Sequence, residues 1–305
     1  MPARPDSVTV RVPAKINLHL AVGPLRPDGF HDLTTVFHAV GLYDDITVSR
    51  ADALTVRVVG ESAAGVPTDD TNLALRAVTA LGAATGHTEP LDVLIHKGIP
   101  VAGGCAGGSA DAAAALVACD ELWGLGLSRD ELSEVAAGLG SDVPFCLYGG
   151  TALGRGRGEL LTPVLGSGHY WWVLALIEGS LSTPAVYAEL DRRRETGPHL
   201  VADDASQVLS ALRRGSPTEL GRALSNDLMA PAVAMRPELA EVLDIGQDAG
   251  ALGGIVSGSG PTLAFLVQDE PAAAALGTAL LQHPACRAAR VAEGPVPGAR
   301  VVRAA

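Results

Sequence analysis

The chain reads as an α+β protein of two units, residues 1–165 and 166–305. Three observations predict this. In the first unit, segments of strand-like alternation come mostly before the helical segments, which argues against a regular βαβ repeat. In the second, a short apolar run, several helices, a strand pair and a returning strand describe a compact split sheet with helices on one face. A length of 305 residues leaves room for two cores of ordinary size.

The elements follow in order. V-T-V-R-V at 8–12 and I-N-L-H-L-A-V at 16–22 alternate like strands, and Pro13 between them rules out a continuous helix. Residues 23–31 form a loop with Asp28-Gly29 as its turn. Strands are expected at 34–40, 45–50, 54–59 and 92–97. A helix fits 72–85 behind the capping candidates Asp70, Thr71 and Asn72. A second helix spans 109–123, and Ser128 with Glu131 makes a capping box for a third, to about 138. A strand at 151–155 closes the unit. The second unit opens with the strand W-W-V-L-A-L-I at 171–177, and Thr183-Pro184 starts a helix. Helices follow at 203–213, 217–224 and 237–249, two strands around a Gly/Ser turn at 253–267, a helix at 271–282 and a strand at 287–292.

Composition narrows the function classes. The net charge of −12 argues against nonspecific binding of nucleic acid or an anionic membrane. Cys105, Cys119, Cys146 and Cys286 are widely spaced, so neither a zinc site nor a disulfide framework is indicated. No apolar run reaches spanning length and the N-terminus lacks a signal pattern. The expectation is a soluble cytoplasmic protein, monomeric or weakly dimeric.

The most informative segment runs from Pro100 to Asp111, P-V-A-G-G-C-A-G-G-S-A-D. Gly103, Gly104, Gly107 and Gly108 allow the backbone to turn its N–H groups toward one point. The helix behind adds free N–H groups and a partial positive charge, so loop and helix together suit phosphate. Neither a Walker lysine nor a dinucleotide fingerprint is present. A cation for a reacting phosphoryl group must come from elsewhere. Of 22 Lys+Arg, only Lys15 and Lys97 are lysine. A lysine is a point charge that an arginine fork does not replace. Chance placement is the alternative, and for Lys97 it stays open.

P-A-K-I-N-L near the N-terminus, the glycine-rich segment and V-S-G-S-G-P-T at 256–262 resemble, in order, the three motifs of the GHMP kinases. R-P-D-G-F-H-D-L at 26–33 and G-S-D-V-P-F at 140–145 resemble the branch that phosphorylates 4-diphosphocytidyl-2-C-methyl-D-erythritol. The resemblance covers nearly the whole chain. It implies a ribosomal protein S5-like N-terminal domain, a ferredoxin-like C-terminal domain, and ATP with Mg²⁺ as cofactors. It implies transfer of the ATP γ-phosphoryl group to the C2 hydroxyl of the diphosphocytidyl sugar alcohol, in the non-mevalonate route to isoprenoid precursors.

The same resemblance assigns roles. Asp142 accepts the proton of the attacking hydroxyl, and Lys15 stabilises developing negative charge beside it. Read alone, Asp142 is as well a helix cap before Val143-Pro144. Pro100, Val101, Ala102, Gly103, Gly104, Cys105, Ala106, Gly107, Gly108, Ser109 and Ala110 form the ATP phosphate loop, with Asn72 and Lys97 near the nucleotide. Asn17, Phe30, His31, Tyr187, Ser257 and Gly258 face the substrate, Phe30 and His31 holding the cytosine and Tyr187 its other face. Phe37 reads as core. Cys105 and Ala106 replace a common Leu-Gly, and Ala110 a serine, leaving Ser109 as the one hydroxyl of the loop. No protein ligand for Mg²⁺ is assigned; ATP oxygens and water suffice for an ion that dehydrates reluctantly. Another GHMP kinase, acting on homoserine, mevalonate or a sugar, is the alternative, and a nucleotide-binding module without catalysis a third.

Overall fold

A computed structural model of the chain describes residues 5–101, 103–196 and 204–305. β1 (Ser7–Leu25) and β2 (His31–Arg50) form one long antiparallel hairpin. The sequence divides each into two strands, yet both run through. Pro13 pairs with Tyr43 beside a register shift between Pro13 and Ala14. A bulge is where a strand tolerates a missing N–H.

β3 (Thr55–Val59), α1 (Leu73–Thr85), β4 (Leu91–His96), α2 (Gly107–Trp123) and α3 (Arg129–Leu139) follow. The Ser128–Glu131 capping box is formed as expected. The short α4 (Val143–Tyr148), β5 (Thr151–Arg155) and β6 (Leu160–Pro163) come next. Then come β7 (Tyr170–Ile177), α5 (Thr183–Thr196), α6 (Ser206–Arg214), α7 (Pro217–Ala223), β8 (Ser225–Asn226) and α8 (Met229–Met235). α9 (Glu238–Asp248), β9 (Gly253–Val256), β10 (Leu263–Val267), α10 (Glu270–Leu280), β11 (Cys286–Gly294) and β12 (Arg300–Ala304) complete the chain. The elements that periodicity misses (α4, β6, β8, α8, β12) are short, and too few residues repeat in them to show a period.

Two sheets result. The larger has eight strands built on the path β12-β1-β2-β4-β3, with β5 on β2, β6 on β5 and β8 on β1. The smaller is antiparallel with order β11-β7-β10-β9. In chain order its strands stand fourth, first, third, second, which is the split sheet expected. A boundary at 165/166 puts residues 300–304 in the second unit, but β12 pairs with β1 and extends the first sheet. Its five residues lack a distinctive pattern, so only pairing places them.

α2 lies across β1 and β2. Ala110 and Ala112 through Ala115 are fully buried, as are Leu116 and Cys119. A helix apolar on all sides belongs inside, and methyl-sized side chains let it approach the sheet closely. Ala14, Ile16 and Leu18 of β1 face this core. The odd residues Lys15 and Asn17 consequently project from the other face of the strand.

His38 marks the seam between the sheets. It sits on β2 against Tyr170 and Trp172 of β7, at ring distances of 5.9 and 5.8 Å, with Nδ1 2.8 Å from Thr151 Oγ1. Burial, and then the charge of His169, push its pKa down to about 3. The unfolded chain takes up this proton near the ordinary value of 6.5, so the stabilisation is complete above that pH and declines below it. The wild type is expected to lose about 1.4 kcal/mol per pH unit between 6.5 and 4 relative to His38→Gln. Denaturant melts of both proteins across that range check this; parallel curves would show that His38 does not titrate on unfolding.

Candidate active site

A cavity of about 720 Å³ opens between the two sheets. One wall is the start of α2. Gly103, Gly104, Ala106, Gly107, Gly108 and Ser109 line it, with Pro100 and Val101 at its edge. Ala106 is the helix N-cap and provides no side-chain cap bond. The first intrahelical bond in the turn is Ala110 N–H to Ala106 O, so the N–H groups before it are available to an anion. Ala106 has φ +57, the one non-glycine in the left-handed region among the described residues. Ala tolerates this at a cost of about 1–2 kcal/mol. Gly104 cannot be replaced as easily: a Cβ there would stand 2.0 Å from the Ser257 carbonyl oxygen. Cys105 and Ala110 point into the core behind the loop. Ala102 lies outside the described residues.

Opposite the helix start stand Lys15 and Asp142. Lys15 is buried; its Nζ donates to Asn17 Oδ1 at 2.7 Å and lies 3.5 Å from Asp142 Oδ2. Asn17 Nδ2 in turn donates to Thr35 Oγ1 at 2.8 Å, and Thr35 to the His19 carbonyl at 2.8 Å. This chain of bonds holds the amide so that its oxygen meets the ammonium. Phe37 is core, stacked on Phe145 at 5.0 Å, with its ring 5.6 Å from Lys15 Nζ. Asp142 occupies the N-cap position of α4 but makes no side-chain cap bond. Its carboxylate, 32% exposed, is turned to Lys15 and the cavity instead. The capping alternative is thereby answered by geometry.

A third wall is aromatic. His31 and Tyr187 face each other at 5.1 Å, and His31 Nε2 lies 3.1 Å from Asp191 Oδ1. Tyr187 and Asp191 are four apart on α5, so one helix face positions the imidazole that β2 supplies. Burial, and then the Asp142 charge, push the Tyr187 hydroxyl up, so it stays protonated. Phe30, half exposed, presents its ring to Arg157 at 4.9 Å.

This arrangement has relatives. The model of the GHMP kinases N terminal domain matches residues 72–150, and that of the GHMP kinases C terminal region matches 208–285. The 4-diphosphocytidyl-2-C-methyl-D-erythritol kinase of Nocardia farcinica is 57% identical over 98% of this chain and 97% of its own length. That of Salinispora tropica is 55% identical over 96% and 94%, and that of Mycolicibacterium smegmatis 54% over 98% and 93%. The chain belongs to the GHMP kinase family. A crystal structure of 4-(cytidine 5'-diphospho)-2C-methyl-D-erythritol kinase superposes with a TM-score of 0.75 at 31% identity, covering 93% of this kinase and 98% of that chain. The homoserine kinase of Cytophaga hutchinsonii, at 19% identity and a TM-score of 0.77 over 99% of both chains, shares the fold.

Not every expected site residue of this GHMP kinase reaches the cavity. Asn72 caps α1: its Oδ1 accepts from Ala74 and Leu75 N–H at 2.9 and 3.4 Å, and its Nδ2 donates to Pro67 O at 2.7 Å. Both ends of the amide are thus occupied, and the neighbouring Val66, Pro67 and Leu73 line the cavity instead. Ser257 is fully buried and donates to Gly104 O at 3.0 Å. It fastens the 257–262 turn to the glycine-rich loop, while Gly258 and Ser259 line the cavity. Lys97, by contrast, does line the cavity, from beneath the helix start, where its Nζ would be 2.9 Å from a Cβ on Gly107. It donates to Asp44 at 2.5 Å and Asp111 at 2.8 Å, all three groups buried. Asp44 also accepts the Gly98 and Ile99 N–H groups at 2.7 and 2.8 Å. Burial opposes the Lys97 charge, but the two carboxylates outweigh it and hold its pKa up. Burial, despite Lys97 and with Asp44 adding to it, pushes Asp111 well above the usual carboxylate range.

Thr35, Asp44, Asp111, Arg157 and Asp191 were not legible as site residues. The pattern G-R-G-R-G at 154–158, three glycines around two arginines, was the one signal that could have pointed to Arg157. Among the described residues no cluster of three or more His, Cys, Asp or Glu could hold a metal ion. Ser109, Asp111, Ser141 and Asp142 are among the oxygen-bearing side chains that line the cavity. No helix among the described residues is long and apolar enough to cross a membrane.

Proposed function

We propose that this kinase transfers the ATP γ-phosphoryl group to the C2 hydroxyl of 4-diphosphocytidyl-2-C-methyl-D-erythritol, in the non-mevalonate route to isoprenoid precursors. The observation that carries the reading is one cavity with a phosphate-binding helix start, a Lys15–Asp142 pair and an aromatic wall. The relatives at 54–57% identity bear the name of that enzyme. Homoserine, mevalonate and simple sugars have no nucleobase to occupy Phe30, His31 and Tyr187. The enzyme works on Mg-ATP in the cytoplasm, as a monomer or weak homodimer.

The chemistry follows from the placement. The N–H groups at the start of α2 bind the ATP phosphates. Asp142 accepts the proton of the acceptor hydroxyl as its oxygen attacks the γ-phosphorus. The bond to the β–γ bridging oxygen breaks, and ADP leaves. Lys15, held by Asn17, offsets the charge that builds on the transferring group. Mg²⁺ arriving with ATP adds to this neutralisation. His31 and the aromatic rings hold the cytosine, as unpaired bases are held elsewhere by stacking and edge contacts.

Mass spectrometry of protein incubated with Mg-ATP and the proposed acceptor tests the reading. A product heavier by one phosphoryl group, with matching ADP, supports it; ATP binding without product would move the search to other small alcohols. Phe30→Ala is expected to raise the acceptor KM with little change in kcat, since base stacking is worth about 1–3 kcal/mol. An unchanged KM in steady-state assays would remove Phe30 from the base site.

A further inference from the structure

The cavity is lined by three lysine or arginine side chains: Lys15, Lys97 and Arg157. The first two are paired with carboxylates, Lys15 with Asp142 and Lys97 with Asp44 and Asp111. Arg157 has no carboxylate partner among the described residues; its guanidinium lies over the Phe30 ring, 4.9 Å from the centroid. An unpaired cation facing a cavity is notable in a chain of net charge −12.

The turn that carries Arg157 is firmly placed. Gly156 and Gly158 on either side have φ +70 and +110, so the tip between β5 and β6 is tight. The Leu33 N–H donates to Gly156 O at 2.7 Å, which ties the turn to β2 two residues beyond His31. Gly158 packs on Phe37, where a Cβ would approach the ring to 3.3 Å. The Arg157 N–H donates to Glu159 Oε2 at 2.6 Å. The backbone is therefore held from several sides, while the guanidinium makes no salt bridge among the described residues. That is the arrangement of a cation awaiting an anion.

We infer that Arg157 is a further binding residue for the acceptor, gripping the diphosphate of a nucleoside diphosphate whose base lies at Phe30. The inference rests on the proposed acceptor and adds to it the counter-charge. The ATP phosphates have the N–H groups of α2; on the aromatic wall, where Thr183 and Pro184 open α5, Arg157 is the cation that faces the cavity beside Phe30. Lys15 is held by Asn17 and Asp142 for the reacting hydroxyl, and Lys97 lies under the helix. A guanidinium fork suits phosphate oxygens in two-point contact, and it can stack on a ring at the same time.

The test compares cytidine 5′-diphosphate with cytidine by titration calorimetry on the full-length wild type, Arg157→Gln and Arg157→Lys, beside steady-state kinetics. Arg157→Gln is expected to bind cytidine 5′-diphosphate at least about tenfold more weakly, with cytidine affinity, ATP KM and kcat kept. Arg157→Lys recovers part of the loss, and added salt narrows the gap between wild type and Arg157→Gln. Equal loss for cytidine and its diphosphate would show that Arg157 only props Phe30, and no loss would show no role; either overturns the inference with the proposed acceptor intact. If the wild type binds neither probe and forms no phosphorylated product while ATP binds, the acceptor reading fails, and the inference falls with it.

Discussion

Asp142→Asn is expected to lower kcat by about 10²–10⁴-fold, the usual contribution of a positioned proton acceptor, while ATP binding stays close to wild type. The substitution keeps the volume of the side chain and removes its charge and basicity. Asp142 makes no cap bond to α4, so the helix loses nothing by the change. The carboxylate stands 3.5 Å from Lys15 Nζ, and Lys15 keeps its bond to Asn17 in the variant. Single-turnover assays with nucleotide binding measured in parallel separate the chemical step from association. Substantial residual turnover would exclude Asp142 as the base and leave it a role in orienting Lys15.

Lys97→Met is expected to cost about 3–5 kcal/mol of folding stability. It leaves Asp44 and Asp111, both buried, facing each other without the cation between them. Two like charges in a low-dielectric interior repel, and neither can recover hydration. The difference from wild type is expected to narrow as pH falls, because protonating one carboxylate relieves the repulsion. Asp111 is the one to take the proton, because burial already pushes it up. Denaturant melts at pH 5 and pH 8 read the effect. A variant as stable as wild type at both would mean that the triad contributes nothing to the fold. The triad joins β2, the end of β4 and the first turns of α2, so Lys97 supports the glycine-rich loop from beneath.

The strong elements were legible because their periods are long enough to count. α1, α3, α9 and α10 fall within two residues of their expected bounds, and the capping box of α3 named its own start. The hairpin β1–β2 was seen in pieces, since an alternating pattern does not show whether a proline interrupts a strand or sits at a bulge. Lys15, Asn17, Phe30, His31, Asp142, Tyr187 and most of the glycine-rich loop were picked out from their motifs, and all of these line one cavity. Asn72 and Ser257 carry the right chemistry in the right neighbourhood, but their hydrogen-bonding groups are turned to backbone.

What the sequence determined by itself is local and periodic. It specifies which segments are strands or helices, the run of four glycines before a helix, and the identity of the lysine, aspartate and aromatic residues. These follow from properties a residue carries alone or shares with near neighbours. What tertiary structure decided is which atoms remain free. Asp142 could cap α4 or face Lys15, Lys97 could reach a nucleotide or bind two carboxylates, and Arg157 could pair with any of many acids. Each choice depends on groups tens to more than a hundred residues away, brought together when β1, β2, α2 and α5 pack. β12 shows the same limit at the level of topology: five ordinary residues complete the first sheet because β1 presents an open edge.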